Sequence, residues 1–204
     1  MATLTALALT CSLKPSPAAS SSELIADQVL AELRKHDVSG ESIRLVDIDV
    51  RPGVEADMGE GDQWPQIRAK IHAADILLIS TPTWLGQMSS VAKRALERLD
   101  AELSETDEHG RPSMFDKVAV AAVVGNEDGA HAIVASLFQA LDDCGFSIPA
   151  QGCTYWNGEA MTPGDYNDLD SVPDAVASTN ATLARNAAHL ARALRDRPYP
   201  PESD

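Results

Sequence analysis

Short apolar runs alternate along this chain with stretches in which apolar residues recur every three or four positions. Residues 3–9 are continuous enough in apolar character to predict a strand buried on both faces. In residues 23–35, Ile25, Val29 and Leu33 recur at intervals of four, one face of a helix. Residues 42–50 predict a second strand, more polar and so expected nearer a sheet edge, and residues 51–62, rich in Gly and acid, read as a loop. A short helix over 63–73 leads into a third strand over 75–80, whose Ile76-Leu77-Leu78-Ile79 centre is wholly apolar. Met88, Ala92, Ala95 and Leu99 mark the next helical face, and residues 104–112 a polar connection. Residues 118–124 are an uninterrupted apolar strand. The helix after it, 130–144, turns Ile133, Val134, Leu137, Phe138 and Leu141 inward and stops at Gly145. A fifth strand lies within 146–156, interrupted by Pro149 and Gly152. The last helix, 174–196, aligns Leu183, Ala187, Leu190 and Leu194, and residues 197–204 form a polar tail expected to fray.

Five strands with intervening helices imply an open α/β sheet, because parallel neighbours need crossover connections that cover both faces. Repeats and domain-sized shifts in composition are absent, so one domain over residues 1–196 is expected. Ligands of such sheets bind beyond the carboxyl ends of the strands, where strand order reverses. The loops after strands one, three and four therefore carry the functional information.

Charge narrows the field. The chain has 204 residues with 16 Lys+Arg against 31 Asp+Glu, a formal net charge of −15. Clustered cations for nucleic-acid phosphates or an anionic membrane surface are lacking, which excludes both partners. Three cysteines (Cys11, Cys144 and Cys153) without a close pair do not make a disulfide framework or an iron–sulfur site. The apolar start, residues 1–11, imitates a signal peptide, yet no basic residue precedes Lys14 and the run is far short of the roughly 20 residues that span a bilayer. A buried strand is the reading adopted, and a cytoplasmic protein is expected.

Loop one places Ser12, Lys14, Ser20, Ser21 and Ser22 immediately before a helix. A helix start offers free N–H groups and partial positive charge, suited to a phosphate; the alternative is a flexible loop in which Ser20, Ser21 or Ser22 is a plain N-cap. It contains neither dinucleotide nor triphosphate-loop glycine patterns. Loop three, Thr81-Pro82-Thr83-Trp84-Leu85-Gly86-Gln87-Met88, sets an aromatic side chain between Pro and Gly, as a flat ligand would need or as a plug beneath the helix would. Loop four, Gly125-Asn126-Glu127-Asp128-Gly129-Ala130-His131, points backbone N–H groups at a ligand's carbonyls, with Asp128 as helix cap and His131 as a structural side chain. In a 2-1-3-4-5 sheet these three loops converge on a site for a phosphorylated, planar, partly polar ring.

These loops resemble those of the flavodoxin-like NAD(P)H-dependent FMN reductases, over roughly residues 3–195. The resemblance implies a flavodoxin-like three-layer α/β sandwich with a five-stranded parallel sheet, FMN as cofactor and NAD(P)H as co-substrate. Ser12, Lys14, Ser20, Ser21 and Ser22 become phosphate ligands. Pro82, Thr83, Trp84, Leu85, Gly86, Gly125, Asn126 and Gly129 become ring contacts. Several family members have Gly-Ser and an arginine where this chain has Cys11-Ser12-Leu13-Lys14, and the quinone-reductase branch has an Arg-Phe type pair in place of Trp84-Leu85. Hydride transfer to the flavin then needs orientation rather than a side-chain acid or base, so no catalytic side chain is assigned. The electron acceptor is a small molecule, and a homodimer or homotetramer is expected by analogy. The alternative is a flavodoxin-type carrier that binds FMN without fast nicotinamide oxidation. Tyr155-Trp156-Asn157-Gly158 is a second aromatic cluster, bordering the site, a subunit contact or the core. No metal is expected: residues 165–170 lack the glycine of a calcium loop, and the five histidines show no ligand spacing.

Overall fold

A computed structural model describes residues 3–201. The first two residues of the apolar start and the last three of the tail lie outside the described residues. The strands are β1 (Leu4–Thr10), β2 (Val38–Arg44), β3 (Ile76–Trp84), β4 (Gln87–Met88), β5 (Val118–Gly125) and β6 (Cys153–Asn157). The helices are α1 (Ser21–Arg34), α2 (Trp64–Ala73), α3 (Ser90–Leu99), α4 (Ala130–Asp143) and α5 (Asp174–Asp196). The sheet order is β2-β1-β3-β5-β6, all parallel, with β4 a short antiparallel partner of β3. Apart from β4 this is the 2-1-3-4-5 order of a flavodoxin-like fold.

Side-chain alternation explains the three layers. Leu7, Leu9, Leu77, Ile79, Ala119, Ala121 and Val123 face one way, into a core closed by α2, α3 and α4. Leu4, Ala6, Ala8, Ile76, Leu78, Val118, Val120 and Ala122 face the other, into a core closed by α1 and α5. Because the strand period is two, one continuous apolar run feeds both cores. Truncating a central side chain such as Leu78 to Ala removes roughly 2–5 kcal/mol of stability. Small residues on α5 (Ala184, Ala187, Ala188 and Ala191) are buried and let that helix pack closely.

Three expectations are corrected. Strand two runs over Val38–Arg44 rather than 42–50, with a 3-10 turn at Leu45–Asp47. Its central residues are exposed, so no hydrophobic alternation marks it; backbone pairing with β1, from Leu4–Val38 to Thr10–Arg44, sets its limits. Met88 belongs to β4 and not to the helix, which starts at Ser90 after Ser89 accepts the Ala92 N–H at 3.1 Å. The tail is docked rather than frayed as far as Tyr199. That ring lies 5.2 Å from Phe115, its hydroxyl is 2.9 Å from Ser147 Oγ, and its N–H donates to Asp116.

Candidate active site

Hydroxyl groups lock the loops at the carboxyl ends of β1 and β3 together. Cys11 N–H donates to the Ser80 carbonyl at 2.8 Å, Ser80 Oγ to the Ser22 carbonyl at 2.6 Å, and Ser89 Oγ to the Cys11 carbonyl at 2.7 Å. All four residues are buried, so each of these bonds also removes the cost of an unpaired polar group. Burial pushes the Cys11 thiol far above the ordinary range, which leaves it an inert packing group.

The chain crosses from β1 to α1 over residues 11–20. Ser20 is the N-cap of α1: its Oγ accepts the Glu23 N–H at 3.2 Å, while the N–H groups of Ser21 and Ser22 have no partner within the helix. Ser12 Oγ accepts the Lys14 N–H at 3.1 Å and so bends the loop. The main fastening comes from strand two. Arg44, buried at the end of β2, donates Nη1 to the carbonyls of Lys14 (3.2 Å) and Ala18 (2.8 Å), and its Nε and Nη2 to the Glu23 carboxylate. Glu23, in the first turn of α1, would repel an anion at the helix start; pairing with Arg44 cancels its charge. Asp47 adds a second tie, accepting from Ser16 N–H (2.9 Å) and Ser16 Oγ (2.6 Å), and these two bonds hold its carboxyl below the usual range.

Loop three is a hairpin. Thr83 pairs with Met88 and Trp84 with Gln87, which leaves Leu85 and Gly86 at the tip with φ of 52° and 72°. Two positive φ values in a two-residue turn match the twist of the flanking strands, and for Leu85 they cost on the order of 1–2 kcal/mol. Loop four meets this tip: a Cβ on Gly129 would sit 2.8 Å from the Gly86 Cα, and Glu127 Oε1 accepts the Leu85 N–H at 2.6 Å. Gly129, with φ of 122°, is the N-cap of α4 and no side chain caps that helix, so Asp128 is not the cap. His131 pairs through Nε2 with the Tyr155 hydroxyl at 3.1 Å.

Between these loops lies a cavity of about 380 Å³. Of the thirteen residues singled out in the sequence, Ser12, Lys14, Ser20, Ser21, Ser22, Pro82, Thr83, Trp84, Gly125 and Asn126 line it. Leu85, Gly86 and Gly129 do not, because they build the hairpin tip and its contact with loop four. Sequence reasoning missed most of the third wall, which runs from Trp156 through Ala160 and Met161 to Asp165, Tyr166 and Asn167. Trp156 was marked by its aromatic cluster, whereas nothing in spacing pointed to the others. Tyr166 is buried, 5.4 Å from the Trp156 ring, and donates its hydroxyl to Gln28 on α1 at 2.6 Å. The wall is tied to loop four by Gly158 N–H to the Gly125 carbonyl (2.7 Å) and by Asn126 Nδ2 to Asp165 (3.2 Å).

Whether these residues suit a flavin phosphate is tested by their unmet capacity. Thr83 is 4% exposed and lines the cavity, and its buried Oγ1 has no hydrogen-bond partner among the described residues. A Cβ on Gly125 would approach Thr83 Cβ to 2.8 Å, so only glycine fits against Thr83 at the end of β5. One end offers free helix N–H groups, hydroxyls and Lys14; the other offers Trp84, 54% exposed and available for stacking. A phosphate and a flat, hydrogen-bonding ring fit that donor set.

Residues 4–160 match the family model of NADPH-dependent FMN reductases. A relative from Streptomyces davaonensis, 8-demethyl-8-aminoriboflavin-5′-phosphate synthase, is 31% identical over 208 residues, covering 96% of this chain and 80% of its own. A Mycobacterium bovis protein named as a divalent metal cation transporter is 33% identical over 199 residues. That match covers 94% of this chain but 29% of the relative, so the chain spans less than a third of that protein. No helix among the described residues is long and apolar enough to cross a membrane. The crystal structure of RosB with bound 8-demethyl-8-formylriboflavin-5′-phosphate superposes with a TM-score of 0.87 at 30% identity, covering 96% of this chain and 82% of RosB. On its loops, its sheet order and the match over most of its length, the chain belongs to the NADPH-dependent FMN reductase family, whose cofactors are FMN and NAD(P)H.

Proposed function

We propose that this chain takes hydride from NAD(P)H at a bound FMN and passes the electrons to a small acceptor such as a quinone or a free flavin. The observation that carries the reading is the cavity itself, lined on one side by the start of α1, whose Ser21 and Ser22 N–H groups have no partner within the helix, and on another by Pro82, Thr83 and the exposed Trp84. When bound, FMN supplies the chemistry of accepting two electrons as hydride and releasing them to an acceptor. The protein's own groups bind and orient. Ser12, Lys14, Ser20, Ser21 and Ser22 hold the phosphate, with the α1 N-terminus as the principal positive field. Pro82, Thr83, Trp84, Gly125 and Asn126 would contact the ring. Leu85, Gly86 and Gly129 shape the rim. Backbone N–H groups of loop four would stabilise negative charge on a reduced ring. Residues 1–196 are read as one FMN-binding domain. A homodimer or homotetramer and a cytoplasmic location belong to the same reading.

The test is direct. Purified protein is expected to be yellow or to bind FMN on titration, and then to oxidise NADH or NADPH when a quinone is added. Absence of FMN binding overturns the reading, and FMN binding without nicotinamide oxidation leaves a flavodoxin-type carrier. A second reading is favoured by the likeness to the synthase and to RosB with its bound flavin phosphate, both over most of each chain. In it, the flavin phosphate is the substrate and leaves chemically altered. Mass spectrometry of the flavin after turnover separates the two: an unchanged mass supports the cofactor role, a changed mass the substrate role.

A further inference from the structure

Loop four grips two walls of the cavity through consecutive residues. Asn126 Nδ2 donates to Asp165 in the third wall at 3.2 Å, and Glu127 Oε1 accepts the Leu85 N–H in loop three at 2.6 Å. The second bond falls on the least favourable residue of the hairpin. Leu85 is 92% exposed with φ of 52°, so a large apolar side chain stands in water on a left-handed backbone. A two-residue turn of this kind ordinarily takes Asn or Asp before Gly, whereas this one has Leu85-Gly86. Strain of that sort persists only where the surrounding structure holds it, and it gathers at ligand sites. Here the hold is concentrated in one side chain. β4 is two residues long, and the hairpin has only the Thr83–Met88 and Trp84–Gln87 pairs. Among the described residues, Glu127 is the only side chain hydrogen-bonded to residues 84–87. Trp84, directly before Leu85, is exposed, so its position is set by the hairpin more than by packing.

We propose that Glu127 is a positioning residue: by accepting the Leu85 N–H it fixes the hairpin tip, and with it Trp84, the side chain available to stack on a flat ring. The inference rests on the reading of the cavity as a flavin site, and it applies whether the flavin is cofactor or substrate. A carboxylate suits the task, because a charged acceptor binds an N–H more strongly than a neutral one. A stacking side chain already held in place loses less freedom when the ring arrives, and affinity gains by that difference.

The hold is measured first in the full-length, flavin-free protein, by amide hydrogen exchange at Leu85. Glu127→Ala is expected to speed that exchange by about tenfold, while amides at the centre of β3 keep their protection. Glu127→Gln retains an acceptor oxygen and is expected to keep most of the protection at Leu85. An exchange rate at Leu85 that Glu127→Ala does not change overturns the proposal.

Flavin affinity then tests what the hold is for. Glu127→Ala is expected to weaken FMN and riboflavin binding together by about five- to tenfold and to leave inorganic phosphate binding as it was. Because Glu127 acts through Trp84, the same substitution added to Trp84→Ala is expected to weaken ring binding by less than about twofold more. Leu85→Asn introduces a side chain that tolerates left-handed backbone, and it is expected to restore most of the affinity that Glu127→Ala removes. A loss of ring affinity as large without Trp84 as with it overturns the proposal, and so does failure of Leu85→Asn to restore affinity. Either result leaves the flavin reading standing, since the unaltered protein still binds FMN. Absence of FMN binding by the unaltered protein removes the reading and the proposal together.

Discussion

Two buried arginines fasten two loops in this molecule, and they do so for different ends. Arg98 on α3 reaches into residues 51–62. It donates to the carbonyls of Arg51 (3.0 Å) and Glu55 (2.8 and 3.1 Å) and pairs with Asp62 through both Nη groups, at 2.9 and 2.8 Å. Both side chains of that pair are fully buried, and Asp62 also accepts the backbone N–H groups of Arg51, Met58 and Trp64. Arg44 grips residues 14–18 with the same chemistry, but its partner Glu23 is 36% exposed and the loop it holds lines the cavity. The closed cluster satisfies both of the charged groups it buries and serves stability. The open one holds a loop in place beside a helix start whose Ser21 and Ser22 N–H groups have no partner within the helix, as an anion-binding site requires.

Breaking the closed pair is expected to have the largest effect on folding. Asp62→Ala strands the Arg98 charge and is expected to cost about 3–5 kcal/mol of stability, read from urea denaturation, with FMN affinity in the remaining folded protein unchanged. Acid sharpens the same contrast. Asp62 has its carboxyl held well below the usual range by Arg98 and three backbone N–H groups, against the opposing effect of burial. Glu102, also buried, accepts from Arg68, His72 and Ser113 and is held down to about 2, again against burial. Both pKa values are lower in the folded chain, so the stability they contribute is complete above the ordinary carboxylate range and is lost as pH falls from that range down through the folded values. Glu102 alone accounts for about 3 kcal/mol lost on going from pH 5 to pH 2. Glu102→Gln is expected to flatten that acid limb.

Arg44→Ala is expected to reverse the balance of effects. Stability falls by about 2 kcal/mol. FMN binding weakens by about tenfold or more, because loop one loses its two carbonyl anchors and Glu23 regains its charge beside the phosphate. Equal losses of FMN and riboflavin affinity would show that Arg44 does not act through the phosphate end. The smallest change in folding is expected for Trp84→Ala, within about 0.5 kcal/mol, since that ring is mostly in solvent. Its FMN and riboflavin affinities fall together while affinity for inorganic phosphate stays, and a parallel loss of phosphate binding would contradict the ring role.

These contrasts also measure how far the chain could be read unfolded. The apolar runs at β1, β3 and β5 are visible because each strand is buried on both faces, and the α4 and α5 faces because their helical period is strong. Strand β2 was misplaced because its middle is exposed. In loop three, Pro, Trp and Gly pointed to a ligand, but the positive φ values that send Leu85 and Gly86 to a hairpin tip depend on pairing between Thr83 and Met88.

Hydrophobic periodicity and turn chemistry are local properties, so the sequence by itself determined the layer architecture, the three loops at the strand ends and ten residues of the cavity wall. Partners distant along the chain were decided only by the tertiary structure. Arg44 meets Glu23 and Lys14 because β2 pairs with β1 in one register. Tyr166 reaches Gln28, 138 positions earlier, because α1 and the segment after β6 lie on the same side of the sheet. Asp165 faces Asn126 because β6 adjoins β5. Glu127 reaches the Leu85 N–H, 42 positions earlier, because β5 adjoins β3, and which strands are neighbours is settled by packing.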